Sequence, residues 1–463
     1  MQYDLVISGG TVVFPAEGSV PCDIAIKDGQ LAAFLGTGHG VSAAEVIDAS
    51  GKHVMPGVID GHAHVGFTGK MAEDFRTETF AAAKGGCTTI LAYILQKNAY
   101  AAEHQCYVDM VRANAVVDVG FHYNIVSKEQ LEEIDTYTQK LGVSSFKYLM
   151  TCRGSESQRL GLKEVDDGLL YEYFQKVGEL GGVPCVHCEN IEVCWTMQSE
   201  SERNGLTGLT AWDSSRPSHA EAEAIFRAVF LAEKAKCPRI YIVHLSSKEG
   251  LQMVRWLRKK GLGIEIIVET CPHYLVLDVN CEAGVLAKVN PPLRHSVDNE
   301  ALWDALFANE ISTVGSDHVA RPKSTKEGGI WKASPGFPGS GTMLPLLLHE
   351  GFHKRRLPMH RIAELISANP AKSFGLYPQK GAMLLGADAD LTIVDLNLER
   401  SISYENSGSV SDYSVYEGRQ VKGWPVQTLL RGCVVMRDGE ITTQPGSGNY
   451  LARRAHGNSC TPQ

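Results

Sequence analysis

Two kinds of hydrophobic patterning divide the chain. Near both ends, short apolar runs alternate with polar positions and are broken by turn residues such as Asp28-Gly29. These runs predict small strands at 3–8, 11–14, 23–27 and 31–35, and again at 391–395, 426–431 and 434–439. The middle is different. Apolar runs at 54–65, 88–93, 117–125, 144–150, 183–188, 240–245, 264–269 and 313–316 alternate with helix-like stretches such as 220–236 and 250–260. Eight strands separated by helices predict an α/β fold of the (β/α)8 TIM barrel type. The terminal strands predict a small β-sandwich domain formed by the N- and C-terminal segments. The expected division is 1–53 with 384–440 for the sandwich, 54–383 for the barrel, and a peripheral tail at 441–463.

Side chains able to bind metals end several of the central runs. They are His62 and His64 in Asp60-Gly-His-Ala-His64, His187 in Val186-His-Cys188, His244 in Val243-His-Leu245 and Asp317 in Gly315-Ser-Asp-His318. A side chain at the mouth of a parallel barrel strand points into the active site, so the pattern reads as a two-metal hydrolase. His62 and His64 alternate with Ala63 and share one face of a strand, where one metal can take both rings. Asp60 or Asp317 can orient or complete the set. A single histidine is more often structural, but a His-X-His pair followed by single ligands at later strand ends is a poor fit to coincidence.

Lys147 stands in the otherwise apolar Ser-Ser-Phe-Lys-Tyr-Leu-Met. A buried ammonium is costly without a partner. An ion pair would relieve the cost. So would carbamylation by CO₂, which turns the cation into an anionic bridge between two metals.

Composition narrows the class. Hydrophobic residues make up 44% and charged residues 21%, as in ordinary soluble proteins. The 44 basic and 53 acidic residues give a net charge of −9, which argues against nonspecific nucleic-acid binding. No apolar run approaches ~20 residues, so no membrane span is expected. The start, Met1-Gln-Tyr-Asp-Leu-Val-Ile, lacks a signal-peptide pattern. The 12 cysteines are too sparse for a disulfide scaffold. Cys87, Cys185, Cys271 and Cys433 are expected to be buried thiols, and the protein is expected in the cytoplasm.

Several stretches together resemble the amidohydrolase superfamily, in its hydantoinase, dihydropyrimidinase and allantoinase branch. They are Met55-Pro-Gly-Val-Ile-Asp-Gly-His-Ala-His64, Gly85-Gly-Cys-Thr-Thr89, Phe146-Lys147, Val186-His-Cys-Glu-Asn190, Arg216-Pro217, His244-Leu-Ser-Ser247, Cys271-Pro-His-Tyr274, Asn290-Pro-Pro-Leu-Arg294, Gly315-Ser-Asp-His318, Asn369-Pro-Ala371 and Gly386-Ala-Asp-Ala-Asp390. The resemblance implies two Zn²⁺ bridged by N6-carboxylated Lys147. His62, His64 and Asp317 would bind one zinc, His187 and His244 the other. A hydroxide shared by the metals would be the nucleophile, because zinc lowers the pKa of bound water to ~7. Asp317 would be the catalytic residue that takes its proton and passes it to the leaving nitrogen. The resemblance also implies a small cyclic amide as substrate and a homotetramer, or else a homodimer.

Departures from the relatives bear on the ring. Dihydroorotases of this branch carry an Arg where this chain has Gly66. Allantoinase-like chains show a Pro-Gly where Phe67-Thr-Gly69 stands here. Dihydropyrimidinases place an oxyanion-donating Tyr at the position of Cys152, a poor donor; Tyr148 would point away from the site if Lys147 points in. Asn290, Cys152 and Gly339 are the expected substrate contacts, Gly339 from the glycine-rich Gly336-Phe-Pro-Gly-Ser-Gly341 after the eighth strand. Phe67 and Phe337 would line a pocket or pack in the core. The leading reading is a hydrolase that opens a hydantoin- or dihydropyrimidine-like ring to an N-carbamoyl product. The alternatives are an allantoinase or another lactam or imide hydrolase, and a non-catalytic dihydropyrimidinase-related scaffold. His349-Glu-Gly-Phe-His353 matches the zinc-protease H-E-x-x-H pattern, but Gly351 weakens the helix it needs, and it reads as charge on a helix surface. Cys185 and Cys188 read as packing residues.

Overall fold

The computed structural model describes residues 2–38 and 40–455. Its central strands are β1 (Val58–His64), β2 (Cys87–Ile94), β3 (Asp118–Asn124), β4 (Ser145–Leu149), β5 (Val183–His187), β6 (Arg239–Ile242), β7 (Glu265–Thr270), β8 (Thr313–Val314) and β9 (His318–Val319). They form one sheet in the order β8-β7-β6-β5-β4-β3-β2-β1-β9. Its two ends flank the short Gly315–Asp317 connection, as in a TIM-type barrel. Nearly every residue of β1 to β5 is buried, because a barrel strand is covered by helices outside and by its neighbours' side chains inside. Lys147 of β4 is in register with Cys185 of β5, and Cys185 with Tyr241 of β6.

Backbone packing groups the chain into two compact units. One comprises 1–91, 109–119 and 338–450; the other comprises 92–108, 120–337 and 451–463. The first contains two further sheets. A four-stranded sheet orders Gln30–Leu35, Asp23–Lys27, Tyr3–Ser8 and Ala43–Asp48. A seven-stranded sheet mixes both ends of the chain: His53–Pro56 pairs antiparallel with Leu391–Ser401, which pairs with Gln420–Leu430. Leu5, Ile7, Ile24 and Ile26 share one hydrophobic core with Leu391, Ile393 and Leu429. Alternate apolar positions of each strand face this core, which is why period-two patterning marked it at both ends of the sequence. The second unit carries strands β3 to β8 with their helices, including Ser218–Lys234 and Lys248–Lys260, close to the expected 220–236 and 250–260.

Two expectations need correction. The single run at 54–65 is two strands. His53–Pro56 belongs to the mixed sheet and Val58–His64 to the barrel, and the chain turns at Gly57, whose N–H donates to the Asp390 carbonyl at 2.7 Å. A Cβ there would lie 2.1 Å from Thr88 Oγ1. Cys433 is exposed, whereas Cys87, Cys185 and Cys271 are buried as expected; it follows the turn into an outer strand of the mixed sheet. The described part of the tail lies mostly at the surface but is tied down. Asn449 N–H donates to Asp118, Tyr450 bridges to Val119, and Arg453 is 2% exposed. The tail's polar composition hid this, because its fixing contacts are made by backbone and one guanidinium. Residues 456–463 lie outside the described residues. No helix among the described residues is long and apolar enough to cross a membrane.

Gly57→Ala puts a methyl into Thr88 where no space exists. Overpacking of this kind costs about 1–3 kcal/mol, so the variant is expected to unfold at lower denaturant concentration with unchanged m-value. An unchanged midpoint would mean the close approach is not structural.

Candidate metal centre

Strand alternation puts Asp60, His62 and His64 on one face of β1. The His62 and His64 ring centroids are 5.3 Å apart. Asp60 is held by two donors, Ser340 Oγ at 2.6 Å and His62 N–H at 3.2 Å. It therefore braces the strand end. After His64 the chain turns at Gly66, whose φ of 88° lies in the left-handed region, and whose N–H donates to Asp74 at 2.8 Å. Thr68 also donates to Asp74. His62, His64 and Asp317 each present a ligand atom, and these atoms lie within 4.8 Å of one another.

His187 and His244 form a second pair. His187 Nδ1 is 2.9 Å from His244 Nε2. The other nitrogen of His187, Nε2, is 2.7 Å from Glu189, and Glu189 is bridged by two donors of Arg216 at 2.9 and 2.6 Å. All three side chains are buried. Burial alone would raise the Glu189 carboxyl, but the Arg216 guanidinium and the His187 ring outweigh it and hold it well below the usual carboxylate range. Burial lowers the His187 ring, with Glu189 pulling the other way. A neutral imidazole steered by a carboxylate is the form in which histidine donates to a metal.

Two of these residues have unusual backbones. His244 has φ 39° and Asp317 has φ 49°. Left-handed non-glycine residues cost of order 1–3 kcal/mol, and they persist where surroundings enforce them. At His244 the enforcing group is Glu269, which accepts its N–H at 3.1 Å and the Tyr241 hydroxyl at 2.8 Å.

Lys147 is 1% exposed. Its ammonium nitrogen sits 4.6 Å from the Tyr93 ring centroid. Burial pushes the amine below its ordinary value, while Asp317 and Glu269 pull it back up. Tyr148, next in the strand, points the other way and donates to the Asp166 carbonyl at 2.7 Å.

The expected substrate contacts are placed as follows. Cys152 is buried against the Lys163 carbonyl, 3.6 Å away, and burial pushes its thiol up to about 12. Asn290 receives the Trp212 indole N–H at 3.2 Å. Gly339 is buried and opens the turn that brings Ser340 onto Asp60. Phe337 packs on His273 at 5.1 Å, and Phe67 meets His64 edge-on at 5.6 Å. The H-E-x-x-H stretch is no metal pair. Glu350 is ion-paired to Arg419, Lys354 and Arg355, and His349 accepts a backbone N–H from Lys422. Nor is it surface charge, since Glu350 is 5% exposed. Cys185 and Cys188 are buried, their thiols directed at backbone carbonyls.

Sequence reading gave no role to Glu189, Arg216, Glu269 or Tyr241. A usable signal existed for the first pair: an acid two residues after a strand-end histidine, and an arginine placed just before Pro217. Glu269 closes an apolar strand with no outward mark of its role.

The sequence and the structure were compared with known proteins. The Dihydro-orotase-like family matches residues 51–250 and the Amidohydrolase family matches 185–435. A D-hydantoinase of Geobacillus stearothermophilus is 36% identical over 98% of this chain and 97% of its own. An allantoinase of Escherichia coli O1:K1 is 34% identical over 94% of this chain and 95% of its own. The solved structure of an L-hydantoinase (dihydropyrimidinase) from Arthrobacter aurescens superposes with a TM-score of 0.91 at 32% identity, covering 97% of this chain and 100% of that one.

Glu189→Ala leaves Arg216 as a buried, unpaired charge. Breaking one partner of such a pair costs about 3–5 kcal/mol. Urea unfolding is expected to show a loss of that size, partly recovered in Glu189→Leu/Arg216→Met. A loss under about 1 kcal/mol, the range of an exposed pair, would mean that the pair is solvated.

Proposed function

Because the chain belongs to the amidohydrolase family, in its hydantoinase branch, we propose that it is an enzyme that hydrolyses a cyclic amide, opening a hydantoin- or dihydropyrimidine-like ring to an N-carbamoyl amino acid. The observation that carries the reading is the clustering of ligand atoms from His62, His64 and Asp317 within 4.8 Å; His187 and His244, with facing nitrogens 2.9 Å apart, are a further pair of donors. Imidazole and carboxylate donors suit zinc. With Nε2 of His187 turned to the Glu189 carboxylate, the neutral ring leaves Nδ1 bare, and His244 offers Nε2 when its proton sits on Nδ1.

In this reading His62, His64 and Asp317 would hold one zinc, His187 and His244 would hold a second, and Lys147, as its carbamate, would be a ligand to both. Metals so held supply Lewis acidity, which makes water nucleophilic near neutral pH and polarises the scissile carbonyl. The remaining steps belong to the chain. Burial keeps the Lys147 amine uncharged more readily than in water; its lone pair then attacks CO₂ and one N–H proton leaves to solvent. Asp317 accepts the proton of the attacking water and returns it to the departing ring nitrogen. Glu189, Arg216 and Glu269 fix the histidines that the reaction depends on. Asn290 and Gly339 orient the ring; Cys152, a neutral thiol turned to a carbonyl, is a weak donor to a developing oxyanion. An allantoin ring is the second reading, supported by the allantoinase relative. The same reading carries a cytoplasmic homotetramer, checked by light scattering.

Purified protein is expected to retain close to two zinc per chain by metal analysis and to open a hydantoin or dihydrouracil ring in a screen that also includes allantoin and dihydroorotate. Turnover of allantoin alone would overturn the first reading in favour of the second. Metal-free, inactive protein after growth with ample zinc would point to the scaffold. Lys147→Ala is expected to lose one or both metals and at least about 100-fold in kcat, in the upper range for displaced ligand-sphere groups. Full metal content with full activity in that variant would remove Lys147 from the bridge.

A further inference from the structure

The barrel interior beneath Lys147 is closed by a residue from the far end of the chain. Ser145 and Lys147 are two apart on β4 and therefore share its inward face. Ser145 Oγ accepts from Arg453 Nη1 at 2.8 Å and lies 2.5 Å from His122 Nδ1. The His122 ring is stacked on Tyr93, with centroids 4.3 Å apart and planes 21° apart. Tyr93 in turn faces the Lys147 nitrogen at 4.6 Å. The second arm of the Arg453 guanidinium is donated to the Phe121 carbonyl on β3. Arg453 is itself anchored, because its N–H donates to the Gly142 carbonyl at 2.7 Å. The tail crosses Gly142 so closely that a Cβ there would lie 2.5 Å from Ala452 Cβ. One rigid guanidinium thus ties β3 to β4 and fixes the serine and histidine that back the aromatic wall of the lysine.

A surface role does not account for this. An arginine 2% exposed has been desolvated, and its planar fork is matched to acceptors on two adjacent strands.

We propose that Arg453 is a positioning residue for Lys147: through Ser145, His122 and Tyr93, the C-terminal segment sets the lysine nitrogen where it becomes the metal-bridging carbamate. The inference rests on the bridging reading of Lys147 given above. It makes the last described residues of the chain part of the support of the reaction centre, 306 residues in sequence from the lysine they serve.

The test uses full-length protein with zinc and ¹³C-labelled bicarbonate, and reads three quantities: the carbamate ¹³C resonance, zinc per chain, and kcat apart from KM. Arg453→Met and Ser145→Ala are expected to lose roughly 10- to 100-fold in kcat, as support residues of metal sites do, with KM unchanged and with carbamate and zinc falling together. Arg453→Lys, which keeps a donor for Ser145, is expected to recover part of all three. If Arg453→Met does not fold, Ser145→Ala decides, since it removes only one oxygen. Variants that fold and keep the full carbamate signal and two zinc overturn the inference and leave the bridging reading intact. A wild-type protein with no carbamate signal overturns the bridging reading, and the inference with it.

Discussion

An amine held out of water is the constraint around which the centre is arranged. Lys147 is nearly inaccessible, and desolvation penalises its charged form. A strand interior offers two ways out of that cost: a carboxylate beside the ammonium, or conversion of the amine into something else. Asp317 and Glu269 lie close enough to favour the ammonium, yet burial outweighs them. The balance favours the uncharged amine more than water does, and the Tyr93 ring flanks the nitrogen at 4.6 Å. The same burial that makes lysine improbable in a barrel strand is what favours the carbamate proposed for it.

The charges around it are disposed by the same rule. A buried ion is tolerated when it is paired and fully hydrogen-bonded. Glu189 meets both conditions through Arg216 and His187. Glu269 meets the second through Tyr241 and the His244 backbone, and it attracts the Lys147 nitrogen. Each acid thereby does two things, satisfying itself and fixing a histidine. Left-handed backbones at His244 and Asp317 are the local cost of aiming these side chains. Glu350 obeys the rule without serving any site: three cations neutralise it, so its H-E-x-x-H frame is a structural joint.

The terminal strands solve a different problem. Neither end can bury its apolar face alone, and the shared core of Leu5, Ile24, Leu391 and Leu429 exists only when both ends meet. Gly57 lets the chain leave that sheet and enter the barrel within one residue.

Residue type and spacing alone determined the barrel, the two terminal strand sets and the six candidate ligands. Apolar runs of strand length separated by helix-length stretches have few other solutions, and His-X-His on a strand must share a face. Those signals are local, so they are written in consecutive residues. The partners of the ligands are not. That Glu189 meets Arg216, that Glu269 holds His244, and that Arg453 reaches Ser145 are contacts between residues 25 to 308 positions apart. The tail's Gly and Ser content suggested a loose end, and the run at 54–65 looked like one strand, because composition does not record which backbone groups a segment will meet. Tertiary structure decided these, since only packing brings a distant donor within hydrogen-bond reach of a buried acceptor.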